Sequence, residues 1–144
     1  MAQTTLGAVI DDLSFLLARA NAVSLEAASA ALRPFGLKPR SYSVLALALS
    51  DHRPSQREIA EYLRLDPSQV VALVDDLQSR GLVERETDPT DRRAKVVTAT
   101  VEGARLFATA GAHVRQAERD VFGALDDAER AMLRKLIDRV AFPG

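Results

Sequence analysis

The residues that most constrain this chain run from Ser55 to Lys95, SQREIAEYLRLDPSQVVALVDDLQSRGLVERETDPTDRRAK. Two helix starts are written into them. Ser55 with Glu58 is a capping box, in which the hydroxyl accepts the Glu58 amide hydrogen and the carboxylate reaches back. Ile59, Ala60 and Leu63 then give a short helix one inner face. Arg64 and Leu65 leave only a tight turn before Asp66, which caps a second helix with Pro67 at its first position. Val70, Leu73, Val74 and Leu77 recur at helical spacing and point inward together, and Gly81 stops the helix. A turn this short makes the two helices cross steeply. That is the helix-turn-helix arrangement, whose second helix offers its exposed N-terminal half to a major groove.

The residues after Gly81 sharpen the reading. Leu82 to Thr87 predicts a strand, Asp88-Pro89-Thr90-Asp91-Arg92-Arg93 a turn, and Lys95 to Thr100 the returning strand. A hairpin directly after a helix-turn-helix is a wing. Its tip carries Arg92 and Arg93, and Asp88 or Asp91 is expected to brace one arginine, leaving the other for a minor groove. The fold class that follows is mainly α (α+β), a winged helix-turn-helix held between long helices.

Those helices are read from periodicity. Leu6, Val9, Ile10, Leu13, Leu16 and Leu17, continued by alanines, predict one helix from about Thr5 to Arg33, ended by Pro34 and Gly36. It is either a core helix or one shared with a second subunit. Pro39, Tyr42, Leu45, Leu47 and Leu49 predict a shorter helix to about Ser50. His52 follows in a turn, with no nearby carboxylate or second histidine at metal spacing, and reads as a loop residue. Thr100 caps a helix from Val101 towards Gly123, with His113 beside its apolar stripe. Asp126 with Glu129 starts a last helix carrying Met132, Leu133, Leu136, Ile137 and Val140.

Charge enters because DNA is the expected partner. The 144 residues hold 19 Lys and Arg against 20 Asp and Glu, and Arg53 to Thr100 alone holds eight against nine. Phosphate contact must therefore depend on where the cations sit, not on their number. The absence of cysteine excludes disulfides and thiolate chemistry. No apolar run approaching 18 residues and no secretory leader is read, so no membrane and a cytoplasmic location are expected. No nucleophile stands beside a base, and no glycine-rich phosphate loop or metal-spaced cluster is present, so neither catalysis nor a cofactor is expected. Asp75 and Asp76 point about 100° apart on a helix, which suits a solvated face or an ion pair with Arg80 rather than shared acid–base work.

The order of elements resembles the MarR-type winged-helix transcriptional regulators across nearly the whole chain. The resemblance rests on Leu77 with Arg80-Gly81-Leu82-Val83-Glu84-Arg85, on Asp88-Pro89-Thr90-Asp91-Arg92-Arg93-Ala94, and on Thr100 with Gly103. It implies a homodimer assembled from the first helix and the last two. Residues 1–36 and 101–144 would then form the helical dimerisation region, and 37–100 the DNA-binding lobe. It further implies a palindromic operator in double-stranded DNA, a repressor role, and release by a small aromatic or phenolic acid. Two departures stand out. Val71 and Ala72 occupy the middle of the recognition helix where polar or basic residues are common, and Ala99 replaces a usual leucine.

Ser68 and Gln69, pointing away from the inward set, are the candidate base readers; Gln69 suits an adenine edge. Arg64, Arg57, Lys38 and Arg40 are candidate phosphate contacts, and Arg92 and Arg93 the candidate minor-groove residues. The competing reading is a winged-helix module that binds protein and not DNA.

Overall fold

The computed structural model describes residues 11–144. In chain order it contains α1 (Leu13–Leu32), a 3₁₀ turn (Arg33–Phe35), α2 (Pro39–Ala48), α3 (Gln56–Leu63) and α4 (Pro67–Ser79). Then come strands β1 (Val83–Thr87) and β2 (Lys95–Ala99), and helices α5 (Val101–Val121) and α6 (Asp127–Ala141). The expected start of the first helix, with Leu6, Val9 and Ile10, lies outside the described residues. The chain divides into two compact units, Ala28–Val114 and a second built from residues up to Ala27 with Arg115–Gly144. These breaks fall inside α1 and α5.

Within Ala28–Val114 the caps form as their residue types demand. The Ser55 hydroxyl accepts from the Glu58 amide at 3.1 Å, and Glu58 accepts from the Ser55 amide at 3.2 Å. Asp66 accepts from the Ser68 amide at 3.0 Å, while the Gln69 side chain accepts from the Asp66 amide at 3.1 Å. Four of the first amides of two short helices are thereby satisfied near their expected starts. The end of α4 is equally local. Gly81 takes a left-handed φ of 72°, and the Leu82 amide reaches back to the Leu77 carbonyl at 3.0 Å.

The core gathers the inward faces of five elements and the ends of two more. Leu32, Val44, Leu45, Ile59, Val70, Val74, Leu77, Val83 and Val97 have essentially no exposed surface. Each such side chain contributes roughly 1.5–3 kcal/mol of burial, which is why helices as short as α3 persist. Strands β1 and β2 pair antiparallel, Val83 opposite Ala99 and Thr87 opposite Lys95. The Val97 amide also donates to the Pro54 carbonyl at 2.9 Å, so the segment before α3 lies against β2.

The start of α5 is fastened to the corner between α4 and β1. The Thr100 hydroxyl donates to the Gly81 carbonyl at 2.6 Å and accepts from the Gly103 amide at 3.0 Å. A Cβ on Gly103 would lie 2.0 Å from the Leu82 carbonyl oxygen, so only glycine allows this approach. Tyr42 stacks on Phe107 with ring centroids 4.7 Å apart, and the Phe35 ring meets His113 edge-on at 5.1 Å.

The second unit has a different character. Asp126 and Glu129 complete a capping box at the start of α6, yet no residue of α6 is buried. Met132, Leu136, Ile137, Val140 and Phe142 are exposed, as are Leu13, Leu16, Leu17, Val23 and Leu25 of α1. Leu13–Phe35 is long and apolar enough, by length and composition, to pass as a membrane span. Alanine supplies that apolarity without forming a conspicuous run of large side chains. Ser14, Arg19, Asn21, Ser24 and Glu26 are interspersed along it.

Candidate nucleic-acid interface

The N-terminal half of α4 is open. Pro67, Ser68, Gln69, Val71 and Ala72 are all exposed, while Val70 and Val74 anchor the helix from behind. The two polar candidates are partly engaged. The Ser68 hydroxyl donates to Asp66 at 2.9 Å, and the Gln69 carbonyl oxygen serves the cap, leaving its amide nitrogen outward. The hydrogen bonds from the Ser68 amide and hydroxyl hold the Asp66 carboxyl below the usual carboxylate range, so the cap stays ionised.

The cationic candidates divide by their partners. Arg57 pairs with Glu61 one turn away at 3.2 Å. The side chains of Lys38, Arg40, Arg64, Arg92 and Arg93 are exposed and have no hydrogen-bond or ion-pair partner among the described residues. Arg64 sits in the turn between α3 and α4 with a left-handed φ of 58°. An arginine there is conformationally costly, because its Cβ crowds the following carbonyl.

The wing tip departs from expectation. Neither aspartate grips a guanidinium. Asp88 accepts from the Thr90 amide at 2.9 Å and hydroxyl at 2.8 Å, and these bonds lower its carboxyl pKa. Asp91 accepts from the Arg93 amide at 3.0 Å. The acids fold the turn as Asx caps, since an amide two residues on is closer than any side chain. Both guanidinium groups are left outward.

Four side chains take partners that sequence reading did not assign. Arg85, on the same strand face as buried Val83, donates to Gln56 and Gln78 at 2.6 Å, to Asp75 at 2.6 Å and to the Val71 carbonyl at 3.2 Å. It ties β1 to both helices of the helix-turn-helix. Period-two alternation from Val83 was the available signal. Arg80 does not pair with Asp75 or Asp76; it donates to the carbonyls of Phe35 and Gly36 at 2.9 and 2.8 Å. His52, expected to lack a carboxylate, bonds Glu58 at 2.7 Å across the turn. That bond, with the Ser55 amide, lowers the Glu58 pKa. Arg53 pairs with Glu86 on β1.

Comparison with known proteins agrees with this geometry. A family model described as the MarR family matches residues 35–94, from the end of the 3₁₀ turn to the tip of the wing. A MarR-family transcriptional regulator of Rhodococcus sp. RHA1 is 42% identical, covers 99% of each chain and superposes with a TM-score of 0.89. CouR of Rhodococcus jostii RHA1, solved bound to p-coumaroyl-CoA, is also 42% identical, over 92% of this chain and 94% of its own, with a TM-score of 0.84. The transcriptional repressor NicR of Pseudomonas putida is 36% identical over 100 residues, 66% of this chain and 63% of NicR. With a winged helix-turn-helix, a matching motif region and a relative similar along its whole length, this chain belongs to the MarR family of transcriptional regulators.

Proposed function

We propose that the protein is a homodimeric repressor that binds a palindromic operator in double-stranded DNA. Helix α4 enters the major groove, with Ser68 and Gln69 at the base edges. Lys38, Arg40, Arg57 and Arg64 contact phosphates, and Arg92 and Arg93 reach the flanking minor groove. The observation that carries this reading is a set of five cations without a partner among the described residues, Lys38, Arg40, Arg64, Arg92 and Arg93, displayed by the lobe that also exposes the N-terminal half of α4. Near-neutral totals conceal it, because Asp75, Glu86 and Glu61 are matched to other arginines.

Dimerisation through α1, α5 and α6 is supported by the apolar side chains that α1 and α6 leave uncovered, Leu13 at 85% and Val140 at 73% exposure among them. The residues forming the two regions follow the division 1–36 with 101–144 and 37–100. A small aromatic acid, or its CoA thioester, is the proposed releasing ligand, supported by p-coumaroyl-CoA on CouR. Regulation of transcription in the cytoplasm, without catalysis, is the role that fits.

The test is titration of the full chain on DNA selected from random fragments, repeated over a range of salt. Affinity should fall steeply and log-linearly with salt as counterions are released. A net charge of −1 favours the protein-binding alternative, and failure to select any DNA would favour it further.

A further inference from the structure

The exposed surface of α4 is poor in groups that read bases by hydrogen bonds. The Ser68 hydroxyl and the Gln69 carbonyl oxygen are turned into the cap of Asp66. One turn on, the outward positions are Val71 and Ala72, and Val71 is 40% exposed although nothing in its own lobe requires an apolar residue there. The next outward residue, Asp75, would repel DNA, but Arg85 pairs with its carboxylate at 2.6 Å and also holds the Val71 carbonyl. The same guanidinium therefore removes the adjacent negative charge and fixes the backbone that carries Val71.

Only one group on the major-groove edge of a base pair is apolar, the C5 methyl of thymine. An aliphatic side chain presented by a recognition helix, between a neutralised acid and a cap, is complementary to that methyl and to nothing else in the groove. We propose that Val71, with Ala72 beside it, is a specificity-determining residue that reads a thymine methyl in each operator half-site. The inference rests on the DNA-binding reading and adds the base it selects and the contact that selects it.

Removing the methyl while leaving every hydrogen-bonding group in place isolates the contact. Operators selected from random DNA with the full chain are remade with single thymines replaced by uracil, and affinities are measured at fixed salt. Wild-type protein should lose about fourfold in affinity for each methyl removed at the contacted position, the worth of one buried carbon. Val71→Ala, at an exposed site where folding is not at stake, should bind the unmodified operator more weakly and lose less affinity than the wild type on uracil substitution there. Uracil without effect at every position on a tightly bound operator would overturn the proposal while leaving DNA binding intact. So would a Val71→Ala protein as sensitive to uracil as the wild type. If no DNA is selected at all, the parent reading falls and this one with it.

Discussion

Arg64 occupies a backbone conformation that suits asparagine or glycine better, at the one point where the helix-turn-helix changes direction. Strain kept at such a position is the pattern expected of a contact residue. Arg64→Asn should therefore raise stability by about 1 kcal/mol while weakening operator binding, and paired denaturation and titration curves would expose either half as wrong. At the wing tip, where no acid competes for it, Arg92→Ala should cost roughly 1–3 kcal/mol of operator affinity. Unchanged affinity would remove the wing from the interface. Three carboxyls are held below their ordinary range: Glu58 by His52 and the Ser55 amide, Asp66 by Ser68, and Asp88 by Thr90. A lowered folded pKa contributes stability that is present above the unfolded value and lost as pH falls through the folded one. Thermal midpoints should thus decline on acidification below about pH 4, the ordinary carboxylate range. Asp66→Asn, which keeps an acceptor for the cap, should flatten that decline.

Among the elements, the capped ones were the most legible. Ser55, Asp66 and Asp126 each sit where their side chains can satisfy amides a few residues away, so the helix starts follow from adjacent residues alone. Ser55→Ala should cost about 1 kcal/mol, seen as a lower denaturation midpoint with an unchanged slope. The strands were equally readable, β1 starting one residue later and β2 ending one residue earlier than expected. What could not be read was which partner each side chain takes when several stand in reach. Arg80 was expected to pair with a neighbouring aspartate but caps carbonyls 44 and 45 residues away, a choice settled by where the 3₁₀ turn comes to rest. Gly103 was noticed as part of a motif, yet its reason lies in the Leu82 carbonyl packed against it. Gly103→Ala should force α5 away from that corner and destabilise the fold by several kcal/mol, at the severe end for a single substitution. Full retention of the melting temperature would show that the corner relaxes freely.

For the molecule as a whole, the apolar residues that α1 and α6 leave exposed are the surface on which the proposed dimer rests. Leu136→Glu with Ile137→Glu should yield a monomer by light scattering and, with it, a large loss of operator affinity. Two half-sites bound by linked modules gain an effective concentration that one copy lacks. A mutant that remained dimeric would place the interface elsewhere. The sequence by itself determined the succession of elements, the caps, the inward faces and the family, because those depend on residues within a turn or two of each other and on recurring spacing. Only the tertiary structure decided which charges are paired and which are left exposed. It put Arg85 on Asp75, Arg53 on Glu86 and the wing aspartates on backbone amides. Ion pairing depends on separations of a few ångströms between residues far apart in the chain, and composition records the charges without saying which of them meet.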